Sequence, residues 1–228
     1  MSKPFNLHNP PIDEKTLLLR AQKLAGCTIQ ELALKAGITV PINLKNNKGW
    51  VGILIELNLG AYGNNRAIQD FPHLGIELKT IPINSEGYPL ESTFICMASL
   101  RGNIGITWNN SYVYHKLTRV LWIPVEGKQN IPLNIRRVGA PVLWSPNAHE
   151  EHLLRQDWEE LIDMIALGEI ENITSSYGEY MQLRSKSANK QIFTEAIGNN
   201  GQIILTTPRA FYLKKKFTSS LLARYFLL

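Results

Sequence analysis

The sequence has little cysteine and no long apolar run. Cys27 and Cys96 are its only cysteines, and neither stands in a cluster with the spacing of metal ligands. Two free thiols are typical of a reducing compartment rather than of a disulfide scaffold. No uninterrupted apolar stretch approaches the roughly 20 residues of a membrane-spanning helix, and the first residues lack the apolar core of a secretion signal. These absences predict a soluble, cytoplasmic protein without a membrane partner.

The sequence has no net positive charge outside one end of the chain. Residues 181–228 carry eight basic side chains and one acidic side chain, whereas residues 1–180 carry 16 basic and 18 acidic ones. A basic region of this kind attracts a polyanion, most simply nucleic acid. The alternative is a solvated surface that balances the acidic stretch 149–179, which holds nine acids and one arginine.

The apolar patterns predict a mixed α/β protein. Of its 228 residues, 44% are hydrophobic, which is enough for a substantial core. Helical spacing and capping residues predict helices after Asp13 and after Thr28, over 51–59, from about 146 to 168, and from about 218. Runs rich in β-branched and aromatic residues predict strands near 77–79, 92–100, 119–125, 143–144, 179–184, 202–206 and 210–213.

An acidic motif stands at the start of the first predicted strand. Asp70 is followed after six residues by Glu77-Leu-Lys79, and a strand places Glu77 and Lys79 on the same face. Two carboxylates beside a lysine can bind a divalent metal and position a water, as metal-assisted cleavage of a phosphodiester requires. The alternative is a surface Glu–Lys pair on an edge strand, with Asp70 in the preceding turn.

A second acid stands in the middle of an apolar helix. Glu56 is the only charged residue in 51–59, and an unpaired carboxylate is costly to bury. We therefore expect it to face a cation, a metal or a water-filled cleft. The alternative is an exposed stripe of an amphipathic helix.

Segments along nearly the whole chain resemble the MutH family, strand-discriminating endonucleases of methyl-directed DNA mismatch repair. They include 48–56, 69–71, 74–82, 115–127, 157–161, 178–180, 194–198 and 208–214. The resemblance implies a restriction-endonuclease-like fold with a central mixed sheet flanked by helices. It also implies a single domain over 1–228 in two lobes around a DNA cleft, with 1–145 mainly catalytic and 146–228 mainly for DNA recognition.

The resemblance also implies an activity and its partners. Members of the family nick the unmethylated strand of hemimethylated GATC sites, 5′ of the G, with Mg²⁺ as cofactor and with Mn²⁺ or Ca²⁺ able to replace it for binding. MutL activates them and relays the mismatch signal from MutS. One cut on one strand needs one active site, so a monomer is expected.

The resemblance assigns residues to both tasks. The implied catalytic residues are Glu56, Asp70, Glu77, Lys79 and Lys116, with Asp70 and Glu77 as metal ligands. Lys79 would orient the attacking water, Glu56 would hold water or Lys79, and Lys116 is either a further phosphate cation or an ordinary surface lysine. The implied DNA-binding residues are Lys48, Phe94, Arg184, Lys186, Tyr212 and Lys214.

The recognition residues have distinct expected roles. Arg184 and Lys186 match a stretch that enters the major groove, where such side chains pair with guanine. Ser185 between them stands where the family often has proline, which changes the expected stiffness of this segment. Tyr212 matches a residue that senses adenine methylation, although its apolar neighbours are equally typical of a core aromatic. Lys214 is expected at a phosphate.

Two other functions remain open at the level of sequence. A restriction enzyme of the same fold would cut both strands at GATC, since fold does not settle function. Such relatives tend to be longer, with a second homologous half, whereas this chain has one catalytic set. A DNA-binding module without chemistry would use the acids only to stabilise its fold, and the intact Asp70, Glu77 and Lys79 argue against it.

Overall fold

The computed structural model describes residues 8–44, 47, 49–61, 68–186 and 192–226. Within these ranges, the chain forms six α-helices and eight strands. The helices are α1 (Glu14–Leu24), α2 (Ile29–Lys35), α3 (Trp50–Leu59), α4 (Tyr112–Leu117), α5 (Ala148–Ala166) and α6 (Lys215–Phe226). The strands are β1 (Glu77–Ile83), β2 (Thr93–Met97), β3 (Val120–Glu126), β4 (Val142–Trp144), β5 (Met181–Ser185), β6 (Thr194–Ile197), β7 (Ile203–Thr206) and β8 (Arg209–Leu213).

The mixed α/β class is confirmed, but the described strands form three small sheets rather than one central sheet. The first has the order β1-β3-β4, with β1 and β3 parallel and β3 and β4 antiparallel. The second is antiparallel with the order β2-β8-β5, and β6 pairs with β7 in the third. Because β2 and β8 are far apart in the chain, this pairing could not be read from local patterns.

Contacts divide the chain into two compact units. Unit 1 takes its described residues from Met1–Glu91, Thr118–Ser145 and Leu222–Leu228, and unit 2 from Ser92–Leu117 and Pro146–Leu221. Sequence order alone places Ser92–Leu117 in the first lobe, whereas its strand β2 pairs with β8 and therefore groups with unit 2.

The helix boundaries follow from their capping residues. Thr28 and Glu31 form the predicted capping box of α2, with each backbone N–H bound by the other side chain. Asn147 and Glu150 do the same for α5, so this helix begins at Ala148, two residues after the predicted Pro146. Gly60 ends α3 with a φ of 81°, a conformation that favours glycine.

Two elements were missed and one helix began earlier than predicted. The short helix α4 and strand β6 have no counterpart in the sequence prediction, and α6 begins at Lys215 rather than near Thr218. In the described part of the chain, no helix combines the length and the apolar character that crossing a bilayer requires.

The core of unit 1 joins three helices to β1 and β3, and Leu78 of β1 belongs to it. Leu17 of α1, Leu32 of α2, Leu54 of α3 and Ile123 of β3 are fully buried in one apolar cluster. Burial of each such side chain stabilises the unit by about 1.5–3 kcal/mol, and α3 packs against β1 within this core. Both elements carry acidic residues that the sequence analysis assigned to catalysis.

Candidate active site and nucleic-acid interface

A tight turn brings Asp70 next to Glu77. Phe71 and Ile76 exchange backbone hydrogen bonds of 2.9 and 3.2 Å and form an antiparallel bridge. Gly75 allows this turn by adopting a φ of 65°. The register of the bridge places Asp70 and Glu77 opposite each other, so the six-residue gap in the sequence becomes proximity in space.

The two carboxylates and one lysine form a compact charged group. The Asp70 Oδ2 atom accepts a hydrogen bond of 2.8 Å from the backbone N–H of Leu78. Glu77 Oε1 lies 2.7 Å from Lys79 Nζ, and their side chains are only 3% and 12% exposed. Because buried charges need partners, the Glu77–Lys79 pair holds both groups in defined positions at the start of β1.

The backbone of Glu77 is held by the residue that precedes the neighbouring strand β3. Its N–H donates to the carbonyl of Arg119 at 3.0 Å. The Arg119 guanidinium in turn donates to both carboxylate oxygens of Glu14, at 2.8 and 2.9 Å, and to Ser145 Oγ at 3.0 Å. These contacts fix Arg119, which supports Glu77. No local sequence pattern indicates them, because Glu14 and Ser145 are distant from Arg119 in the chain.

The Glu14–Arg119 pair predicts a pH-dependent contribution to stability. Hydrogen bonding to Arg119 lowers the pKa of Glu14 below its usual value of 4.5. A lowered folded-state pKa gives stabilisation that is complete above the unfolded-state pKa and is lost as the pH falls through the folded-state pKa. Because the Glu14 side chain is 44% exposed, we expect the pair to contribute about 0.2–1 kcal/mol.

Urea unfolding of wild type and Glu14→Gln measures this contribution. The wild type should be more stable at pH 7, and the difference should shrink below about pH 4.5. A difference that stays constant from pH 7 to pH 3 would contradict the assigned role of the ionised pair.

Glu56 lies on α3 in the same unit as Asp70 and Glu77. It follows Gly52 by four residues and therefore shares its helix face. A Cβ added at Gly52 would lie 3.9 Å from Thr80 Oγ1, so this face is directed toward β1. Glu56 is half-buried, and its carbonyl accepts the N–H groups of Gly60 and Ala61 at 2.9 Å. Its role in catalysis stays a prediction.

The carboxylate pair has the chemistry that Mg²⁺ prefers. In phosphate-handling sites this ion uses one or two carboxylates, several waters and the phosphate of the substrate. Asp70 and Glu77 supply two such hard oxygen donors. Among the described residues, no group of three or more His, Cys, Asp or Glu side chains is arranged to hold a metal. Two carboxylates fit an ion of this kind, whose other positions would be filled by water and phosphate oxygens.

Of two further basic residues in the predicted site, Lys116 and Lys48, the structure describes only the first. Lys116 lies on α4 in unit 2 and is only 7% exposed, so it is not an ordinary surface lysine. Its predicted role at a phosphate stays a prediction. Lys48 lies outside the described residues.

Four of the predicted DNA-binding residues of unit 2 meet on one face of its three-stranded sheet. Phe94 of β2 and Tyr212 of β8 are register partners, and their rings pack edge to face with centroids 5.6 Å apart. On the other neighbouring strand, β5, Gln182 is the register partner of Tyr212. Both aromatic side chains are half-buried, whereas Phe211 and Leu213 on the opposite face are buried. Tyr212 is therefore not an interior core residue.

Two cations cover these aromatic rings. The Lys186 Nζ atom lies 3.1 Å from the Phe94 ring centroid and 5.9 Å from that of Tyr212. Arg184 Cζ lies 5.2 Å from the Tyr212 centroid, and its Nη1 donates to Ser92 Oγ at 2.7 Å. The sheet thus presents two exposed basic side chains above an aromatic base, an arrangement suited to nucleic acid.

Lys214 and Ser185 make structural contacts near this face. Lys214 Nζ donates to the carbonyls of Ser175 and Gly178 at 3.0 and 2.6 Å. Ser185 Oγ donates to Thr207 Oγ1 at 3.0 Å, which restrains the position where the family often has proline. The predicted contact of Lys214 with a phosphate stays a prediction.

Carboxylates beside a lysine at the start of a strand, together with a cationic sheet face, define a class of protein suited to metal-assisted chemistry on a nucleic acid. The family model described as "DNA mismatch repair enzyme MutH" matches residues 59–157. The chain is 59% identical over all 228 residues to DNA mismatch repair protein MutH from Escherichia coli strains O1:K1, O127:H6 and O157:H7, covering the full length of each. The chain belongs to the MutH family of DNA mismatch repair enzymes.

Proposed function

We propose that this protein is a Mg²⁺-dependent endonuclease that nicks the unmethylated strand of hemimethylated GATC sites, 5′ of the G. The observation that carries the proposal is the Asp70–Glu77–Lys79 arrangement at the start of β1. Full-length similarity to MutH proteins supports it. The two-lobed, restriction-endonuclease-like fold around a DNA cleft belongs to the same proposal.

The residues at β1 have complementary roles in hydrolysis. Asp70 and Glu77 would hold Mg²⁺, which when bound stabilises negative charge on the phosphate and on the leaving 3′-oxygen. Lys79, held by Glu77 at 2.7 Å, orients the attacking water and offsets charge that develops on the phosphate. The water oxygen bonds to phosphorus as its proton passes to solvent, and the bond from phosphorus to the 3′-oxygen breaks. The released 3′-oxygen takes a proton from solvent, which leaves a 3′-hydroxyl and a 5′-phosphate. Glu56 restrains the water or Lys79, and Lys116 acts as a further phosphate cation.

The sheet face of unit 2 would read the sequence. Arg184 and Lys186 are exposed and long enough to pair with guanine O6 and N7 in the major groove. Tyr212 lies beside them and packs edge to face with Phe94. A phenol ring at this place could distinguish a methylated from an unmethylated adenine. Lys48 and Phe94 would contact the DNA, and Lys214 would contact a phosphate. MutL would activate this monomeric enzyme in the cytoplasm and relay the signal of MutS.

Strand-resolved cleavage of a short duplex with one GATC site tests the proposal. The site is unmethylated, hemimethylated or fully methylated, and each duplex is incubated in Mg²⁺ with and without MutL. We expect nicking of the unmethylated strand that MutL enhances and that full methylation abolishes. Cutting of both strands regardless of MutL would identify a restriction enzyme instead, and no cutting in any condition would leave a DNA-binding module.

A further inference from the structure

A buried carboxylate of α5 has no part in the proposed chemistry. The apolar face of α5 presents Leu154, Trp158, Leu161 and Ile165, all of them buried. Asp157 lies on this same face and is 7% exposed. Since burying an ionised carboxylate is strongly unfavourable without partners, this position calls for a specific set of hydrogen bonds.

Three consecutive backbone N–H groups supply those bonds. Asp157 Oδ1 accepts from Glu179 at 2.7 Å, and Oδ2 accepts from Tyr180 at 2.6 Å and from Met181 at 2.7 Å. Hydrogen bonds to a charged acceptor are about twice as strong as neutral ones. The carboxylate thereby fixes the backbone at the residue where β5 begins.

The turn before β5 is restrained from both sides. The N–H of Gly178 donates to Glu160 Oε2 at 3.0 Å, and its carbonyl accepts from Lys214 Nζ at 2.6 Å. Gly178 has a φ of +68°, and an added Cβ would lie 2.2 Å from the Met181 carbonyl oxygen. This turn therefore closes tightly around Asp157 and leaves little freedom at the start of the strand.

The register of β5 determines the face on which Arg184 emerges and on which Lys186 follows just after the strand. In the present register Met181 pairs with Leu213 and Arg184 with Ala210, and the Lys186 N–H donates to the Pro208 carbonyl at 2.8 Å. A shift of one residue would move every side chain of the strand to the other face. Arg184 and Lys186 would then leave the face that holds Tyr212 and Phe94.

We propose that Asp157 is a positioning residue for sequence recognition: it sets the register of β5 and thereby places Arg184 and Lys186 for base reading. The base-reading half of this inference rests on the proposed function. The register half is independent of DNA, so the two can be measured separately.

Asp157→Asn is the direct test. Asparagine keeps one acceptor oxygen but turns an NH₂ group toward backbone N–H donors. By hydrogen exchange, we expect faster exchange of the amides of 179–186. In binding assays, we expect at least about tenfold weaker discrimination between GATC and a site with one changed base pair, with unchanged low-salt binding to non-specific DNA. Asp157→Glu keeps the charge but displaces it, and we expect the same losses in this variant. It serves as the test if Asp157→Asn does not fold.

Leu161→Ala is the matched control, because it weakens the same helix without touching the three amides. At temperatures where each variant is folded, it should retain both amide protection and discrimination. Unchanged protection or unchanged discrimination in the Asp157 variants would overturn the inference, as would an equal loss of both in Leu161→Ala. Faster exchange in Asp157→Asn together with a wild type that does not prefer GATC would support the register role and refute the proposed function.

Discussion

Replacing Asp70 with asparagine is expected to slow Mg²⁺-dependent nicking about 1000-fold, because loss of a ligand weakens charge stabilisation worth several kcal/mol. DNA affinity should change little, since Asp70 contacts no base in the proposed function. Single-turnover cleavage of a hemimethylated GATC duplex with MutL measures the rate, and binding in Ca²⁺ measures the affinity.

The asparagine variant separates chemistry from structure. Its side-chain oxygen can still accept the N–H of Leu78, which Asp70 now binds at 2.8 Å. Asp70→Ala removes this hydrogen bond as well, so it should lower the melting temperature further than Asp70→Asn while cleaving equally slowly. Nicking by Asp70→Asn within tenfold of wild type would refute the metal-ligand assignment.

Lys186→Ala is expected to weaken discrimination for GATC by about 1–3 kcal/mol if Lys186 pairs with a guanine. The ammonium now lies 3.1 Å from the Phe94 ring centroid. An exposed cation–π contact stabilises by about 0.5–1 kcal/mol, which is at or below the value of a good base contact, so DNA can displace it. Competition binding with duplexes that differ in one base pair of the site measures the discrimination.

Lys215→Ala provides the control for this measurement. Lys215 is exposed at the start of α6, and as a phosphate contact it should weaken binding equally for all sequences and reduce the salt dependence by about one ion. If Lys186→Ala produced the same uniform loss, Lys186 would be a phosphate contact rather than a reader of bases.

The candidate catalytic group could be anticipated from sequence because its geometry is local. The two-residue period of a strand places Glu77 beside Lys79, and the observed 2.7 Å ion pair agrees with this expectation. Asp70 lies next to Glu77 because the six residues between them form a turn. The proline and the glycine in this segment are typical turn residues. Resemblance to the family named the same residues, and the local pattern explains why they lie together.

Long-range pairing was not accessible in the same way. Phe94 meets Tyr212 because β2 pairs with β8, and neither strand encodes its partner. Arg184 likewise binds Ser92, which lies 92 residues earlier. The hydrogen bonds of Asp157 go to amides 22 to 24 residues later. A single acid within an apolar helical stripe was the available signal for Asp157, and its partners required the structure.

The missed elements have a similar physical reason. Helix α4 has six residues and β6 has four, so each is too short for a clear period. Their formation depends on neighbours: β6 pairs with β7 over four residues, and α4 places its buried Val113 and Leu117 in the core. Tertiary packing determines such elements more than local propensity does.

The most direct test of the central claim is a crystal structure with a hemimethylated GATC duplex and Mn²⁺, located by its anomalous scattering. We predict a peak within coordination distance of Asp70, Glu77 and the phosphate on the 5′ side of the G in the unmethylated strand. A peak away from these carboxylates, or DNA bound with another phosphate at Lys79, would contradict the assignment of this site to strand-specific nicking.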